Sequence, residues 1–317
     1  MSARVRLGIK LLVGAALVAL LVRQVDWRAL AAVLRAADAR LLAGGVLITW
    51  ANVPLGAARW YVLLRASARG AVSFVETVRL VLVANFFNVV IPGGVAGDVV
   101  RGFETTKTLS AVGEHAFSSV ITDRLMALVG FLAIAAASLV FCWRTILASG
   151  LALYAAAATL LVLGLIAALY SARIGGRLAR ATRFAGRISE PLERLQGNLR
   201  WYRGRPATLA AAFAVTIASH LVMIASVWML ARSVGSEVPF VYFLMFVPIV
   251  SILTALPLSI GGLGVRDAGF VLLFPLVGMT RPQALATSFL FFGVVLTVAL
   301  LGGLASLLPD RSPRQPA

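Results

Sequence analysis

Cysteine is almost missing from this chain. Its 317 residues include one, Cys142, so no disulfide forms within the chain and no thiol motif exists. Histidine is nearly as scarce: neither His115 nor His220 lies with Cys, Asp or Glu at metal-ligand spacing. The patterns G-x-S-x-G, H-E-x-x-H and the P-loop do not occur, which removes common signatures of hydrolases, zinc proteases and nucleotide-driven pumps. No metal and no cofactor is expected. Charge is also sparse. Only 13% of residues are Asp, Glu, Lys or Arg, against about a quarter in soluble domains. The balance is lopsided, with 12 acidic residues against 29 basic ones and a net charge of +17.

What is present is apolar. Hydrophobic residues make up 61% of the chain and mean hydropathy is +0.96. Several apolar runs approach or exceed the roughly 20 residues needed to cross about 30 Å of hydrocarbon. The alternation of an outer-membrane barrel is missing. The expected fold is an all-α polytopic membrane protein. Lys and Arg fall in the loops between apolar runs, where they set topology and meet anionic lipid headgroups, so nucleic acid is excluded as a partner.

Six full spans are predicted, at about 7–22, 41–64, 116–141, 147–169, 207–231 and 284–308. The first follows a short basic N-terminus without a small-x-small cleavage site, and reads as an uncleaved span with its N-terminus in the cytoplasm. After it, Asp26 is a candidate N-cap, and Trp27, Leu30, Leu34 and Leu41 share one face of an amphipathic helix on the outer surface. Arg59, inside the second span, is read as snorkelling towards the cytoplasmic end.

Residues 170–206 hold nine arginines against Glu190 and Glu193, which marks a cytoplasmic loop. Within it, Ile188, Leu192, Leu195, Leu199 and Tyr202 repeat at helical spacing and predict an amphipathic surface helix. The basic tail, 309–317, carries Arg311 and Arg314 and is expected on the same side.

These assignments impose a parity condition. A single crossing at 77–91, a run too short to span comfortably, would put the nine arginines outside. Residues 77–112 therefore form a re-entrant segment opening to the cytoplasm, and 239–278 form one opening to the exterior. The chain is thus one integral membrane domain in two halves, 1–169 and 207–308, joined by the basic loop. The re-entrant segments resemble each other. One reads Pro92-Gly93-Gly94, then Gly97, Asp98 and Arg101; the other reads Pro257, then Gly261-Gly262, Gly264, Arg266 and Asp267. Paired interrupted segments entering from opposite faces are the signature of an inverted repeat with a substrate site between the halves.

Irregular backbone at membrane depth persists only when buried in protein or lining a wet cavity. Helix N-termini after such breaks present free N–H groups to anions, and arginine adds a planar fork that suits phosphate. Asp123 and Arg124 lie about ten residues inside the third span, where an unpaired charge costs at least about 2.5–3.5 kcal/mol. Two roles stand open for Arg124: an ion pair with Asp98 or Asp267, or contact with substrate. Arg266 has the same two readings. Asn85 and Asn88 are read as caps or cavity-facing groups, and His220 as a hydrogen-bonding partner inside the bundle.

Taken together, NVVIPGGVAGDVVR, FSSVITDR and PLSIGGLGVRD resemble the flippase-like transmembrane region of lysylphosphatidylglycerol synthases, over roughly residues 5–308. The resemblance implies headgroup-contacting positions at Asn88, Gly93, Gly94, Gly97, Asp98, Arg101, Asp123, Arg124, Gly261, Gly262, Gly264, Arg266 and Asp267. It also implies transbilayer movement of a lipid with a phosphate-bearing or charged headgroup, in a bacterial inner membrane. The partner would be a phospholipid, hopanoid, isoprenoid or glycolipid, with a lipid-modifying enzyme as a further partner. No aminoacyltransferase domain follows up to Ala317, so no synthase or other enzyme activity is expected. The alternatives are a scaffold that recruits a lipid-modifying enzyme to the 170–206 loop, and a membrane-embedded transferase using Asp98 with Glu104.

Overall fold

The computed structural model describes residues 27–68, 73–91, 96–108, 113–148, 204–255 and 262–307. The expected spans at 7–22 and 147–169, Asp26, the basic loop with its surface helix, the segments Pro92-Gly93-Gly94 and Pro257 to Gly261, and the basic tail lie wholly or almost wholly outside them. Among the described residues every regular element is a helix. They run α1 (Trp27–Arg35), α2 (Ala39–Ala68), α3 (Phe74–Val90), α4 (Ala96–Thr108), α5 (Gly113–Ala148), α6 (Pro206–Ser233), α7 (Phe240–Ala255), α8 (Val265–Leu273), a 3-10 turn (Phe274–Val277) and α9 (Arg281–Ser306).

Four stretches among them are long and apolar enough to cross a membrane: Ala39–Ala66, Ser119–Phe141, Pro206–Ser233 and Arg281–Ser306. They correspond to four of the six expected spans. Helix α7, with 16 residues, and α3, with 17, are only about 24–26 Å long at 1.5 Å per residue and do not cross comfortably.

The amphipathic face expected from Trp27 to Leu41 is divided between two helices. Asp38 ends α1's face by capping α2, accepting from the Arg40 and Leu41 N–H groups at 2.8 and 3.1 Å. Leu41 therefore belongs to α2. Leu30 of α1 is buried against Val234, Leu285 and Ala286, so α1 is fastened to the bundle by its apolar face.

The centre of the bundle is the antiparallel pair α2 and α6. Gly45 packs on Leu230, Ser226 hydroxyl bonds Thr49 Oγ1 (2.5 Å) and the Gly45 carbonyl (2.8 Å), Ser219 bonds Asn52 (2.8 Å), and Leu63 packs with Ala212. Small residues let the backbones approach, and hydroxyls bond across, as is general where lipid removes the hydrophobic drive between helices. At the far end the Asp38 N–H donates to the Ser233 carbonyl at 2.8 Å.

Each broken segment is a helical hairpin. Helix α4 folds back on α3, and α8 folds back on α7, where Gly269 faces Val250. Each hairpin leaves and returns at a single end of the bundle. For the second, the Gln283 amide at the start of α9 donates to the Val234 and Gly235 carbonyls at the end of α6, at 3.3 and 2.9 Å. For the first, Trp60 and Leu64 near the end of α2 pack with Val120 near the start of α5. Since α2 and α6 run antiparallel, the two hairpins enter from opposite ends.

The packing of the two halves is interchangeable. Exchanging α2 with α6, α3 with α7, α4 with α8 and α5 with α9 preserves the main packing pairs: α3 lies on α9 as α7 lies on α5, and α4 on α5 as α8 on α9. Because the exchanged central helices point in opposite directions, this is an inverted repeat.

Candidate functional site

The tip of the first hairpin is built around one close backbone crossing. A Cβ at Gly97 would fall on the Ala84 carbonyl oxygen, so only glycine lets α4 lie this close to α3. There Asn88 Oδ1 accepts the Gly97 N–H at 2.9 Å, satisfying one of the N–H groups that open the helix. This crossing fixes Asp98 in the first turn of α4 and puts Arg101 one turn later on the same face.

From there a chain of ion pairs runs through the bundle. Asp98 Oδ1 accepts from Arg101 Nη2 (3.3 Å), and its Oδ2 accepts from Arg124 Nε (2.5 Å). Asp123, which is 1% exposed, accepts from Arg101 Nη2 at 3.1 Å and is gripped by Arg59 in a fork, Nε to Oδ1 at 2.5 Å and Nη2 to Oδ2 at 3.0 Å. The Arg101 guanidinium lies 4.3 Å from the centre of the Trp60 ring, and the indole N–H is held by Ser119 at 3.1 Å. Two helices, α2 and α5, and the α3–α4 hairpin are tied by these five charged side chains.

The cluster opens on a cavity of about 330 Å³. Its polar lining includes Asn85, Asn88, Asp98, Arg101 and Arg124, and its apolar lining Phe131, Met223, Phe291, Val295 and Val298. It sits at mid-height. Asn52 and His220, both in the wall, lie halfway along the 28-residue spans Ala39–Ala66 and Pro206–Ser233. His220 is locked there: it donates through Nε2 to the Ala127 carbonyl at 2.9 Å and stacks flat on Phe131, with ring centroids 3.7 Å apart.

The sequence-derived candidates divide. Asn88, Asp98, Arg101, Asp123 and Arg124 line the cavity, and Gly97 sits behind it at the hairpin crossing. Gly262, Gly264, Arg266 and Asp267 do not line it. Gly262 and Gly264 have φ of +78° and +82°, which glycine adopts without strain, and they form the turn into α8. Asp267 then accepts the Gly264 N–H (2.9 Å) and pairs with Arg266 (3.2 Å). Ser288 of α9 bridges that pair, accepting from Arg266 Nε at 2.9 Å and donating to Asp267 Oδ1 at 2.6 Å. This second cluster is neutral and buried. Gly93, Gly94 and Gly261 lie outside the described residues.

Arg124 pairs with Asp98 and not with Asp267. Arg59 does not snorkel. It is turned inward onto Asp123, because a buried carboxylate shared with Arg101 is a better counter-charge than a distant headgroup layer. Arg59 and Asn52 are the wall residues that sequence reasoning did not select. Their signal was a polar stripe at helical spacing, Thr49, Asn52, Gly56 and Arg59, within an apolar span.

Among the described residues, an all-helical bundle with membrane-spanning helices, two opposed hairpins and a charged cavity defines a polytopic membrane protein. The family model described as lysylphosphatidylglycerol synthase TM region matches residues 8–303, and the chain belongs to that family. No curated protein and no solved structure matches the sequence.

Proposed function

We propose that the protein moves a lipid with a phosphate-bearing or charged headgroup between the leaflets of a bacterial plasma membrane, with both of its own termini in the cytoplasm. The headgroup passes through the mid-height cavity while the acyl chains remain in hydrocarbon. The lipid leaves chemically unchanged, so the role is non-enzymatic. The observation that carries this reading is the position of the ion-pair cluster. Asp98 and Arg101 near the tip of a hairpin meet Asp123 and Arg124 inside the membrane-spanning stretch Ser119–Phe141, on the wall of a cavity that reaches mid-height. Charges at that depth are expensive, and in membrane proteins they mark substrate paths. The family supplies the lipid context. No nucleotide-binding pattern occurs, so the drive is a gradient or the lipid's own concentration difference.

The test is lipid movement in proteoliposomes carrying an acyl-labelled phospholipid. The intact protein should equilibrate the label between leaflets well above protein-free vesicles. Arg124→Ala, a change at a half-exposed side chain, should cut the rate at least tenfold without lowering the melting temperature by more than a few degrees. Movement at the protein-free rate would remove the proposal.

A further inference from the structure

The polar lining of the cavity has a hydrogen-bond composition that discriminates between headgroups. Its carboxylates are Asp98 and Asp123, and all four of their oxygens already accept from guanidinium groups: Asp98 from Arg101 and Arg124, Asp123 from Arg59 and Arg101. An ammonium entering the cavity meets no carboxylate oxygen that is not engaged. It would have to displace an arginine in a site where charge is weakly screened, and it would face three guanidinium groups. The Trp60 ring, fully buried, is covered by Arg101, so it offers no face to a quaternary amine.

An anionic oxygen meets the opposite situation. Both carboxylates hold Arg101 through Nη2, and Arg101 Nε is buried with no hydrogen-bond partner among the described residues. A buried donor left unmade is destabilising until an acceptor arrives. Arg101 lines the cavity, so an acceptor entering there meets its guanidinium. Arg124, the other guanidinium bound to Asp98, is 44% exposed. Arginine's fork suits phosphate in particular.

Resting on the lipid-movement reading, we infer that the site selects headgroups that carry a net negative phosphate and no ammonium group. It would take phosphatidylglycerol or a lipid phosphate monoester, and disfavour both zwitterionic phosphatidylcholine and the aminoacylated ester named in the family description. The lysyl ester of phosphatidylglycerol sets two ammonium groups against one phosphate, which makes it cationic overall.

Two measurements on the intact protein decide this. In vesicles of phosphatidylcholine, initial rates are compared for trace acyl-labelled phosphatidylglycerol, phosphatidylcholine and lysylphosphatidylglycerol. In detergent, native mass spectrometry measures retention of the same three lipids, with soluble glycerol phosphate as competitor. Phosphatidylglycerol should move and be retained at least tenfold better than the other two. Arg124→Gln should bring that ratio close to one, and glycerol phosphate at millimolar concentration should not displace the lipid.

Movement of all three at equal rates, or fastest movement of the lysyl ester, overturns the selectivity and leaves lipid movement standing. Selective retention without movement supports the selectivity and removes the movement. Displacement by glycerol phosphate assigns the site to soluble anions and overturns the inference.

Discussion

Arg101 donates to Asp123 at 3.1 Å, and this bond fastens the first re-entrant hairpin to the third predicted span. Asp123 is the hub of the cluster because it also holds Arg59 of α2 in a fork. A carboxylate with 2% of its side chain exposed, shared by two arginines from different elements, holds three charges together inside the bundle. The arrangement has direct consequences for stability.

Removing the hub takes the carboxylate from partly buried Arg59 and leaves buried Arg101 with Asp98 alone. Asp123→Ala should therefore destabilise the protein by about 3–5 kcal/mol, the usual cost of breaking a buried ion pair from one side. Replacing all three partners with apolar residues of similar size, as in Arg59→Met, Arg101→Met and Asp123→Leu together, should recover most of that stability while abolishing lipid movement. Unfolding in a denaturing detergent series gives the stability, and the vesicle assay gives the rate. A triple variant as unstable as the single one would contradict the ion-pair account.

Two glycines make opposite predictions. A Cβ at Gly97 meets the Ala84 backbone, so Gly97→Ala should open the hairpin crossing and cost about 1–3 kcal/mol. A Cβ at Gly56 meets nothing within 4 Å, and Gly56 lines the cavity. Gly56→Ala should be neutral or stabilising by up to about 1 kcal/mol, through helix propensity. Gly56→Leu should keep the fold and block movement, which melting curves and the vesicle assay measure separately.

The second hairpin should respond differently. Ser288→Ala removes the hydroxyl that bridges Arg266 and Asp267, at a cost of about 1–3 kcal/mol for the unmade hydrogen bonds. Since this cluster lies outside the cavity, the rate per folded molecule should fall less than in Arg124→Ala. Equal or greater loss would show that Arg266 enters the lipid path in another conformation.

The opposed hairpins also predict labelling from opposite faces. In a cysteine-free background, made by replacing Cys142 with Ser, Ser73→Cys and Gly204→Cys should react with an impermeant thiol reagent from one side of the membrane. Glu237→Cys and Thr280→Cys should react from the other. All four sites are exposed on the protein. Labelling of all four from one face would refute the inverted arrangement.

Much of this architecture is legible in the sequence because lipid imposes simple rules. Four of the six expected spans are helices here, and the run at 77–91, too short to span, is followed by a helix that folds back on it. Asp98, Arg101, Asp123 and Arg124 stood out because charge at membrane depth is rare. Arg59 was misread because a single arginine in a span looks the same whether it reaches for headgroups or for a carboxylate 64 residues away. The clue that separates the two, its helical register with Thr49 and Asn52, is carried by the sequence, but the identity of the carboxylate it faces is a three-dimensional relation. The cavity's composition was not legible either. The two Gly-Asp-Arg breaks look alike in sequence, and only the tertiary contacts show one beside a cavity and the other closed by Ser288.

The most direct test of the central claim is to map where a headgroup sits during passage. An anionic phospholipid with a photoreactive group beside its phosphate is reconstituted with the intact protein, irradiated, and the adducts are located by peptide mass spectrometry. Adducts on the cavity wall, at residues 85–88 or 219–223, with loss of labelling in Arg124→Ala, are the predicted result. Adducts confined to the lipid-facing sides and ends of the helices, unchanged in Arg124→Ala, would contradict passage through the cavity.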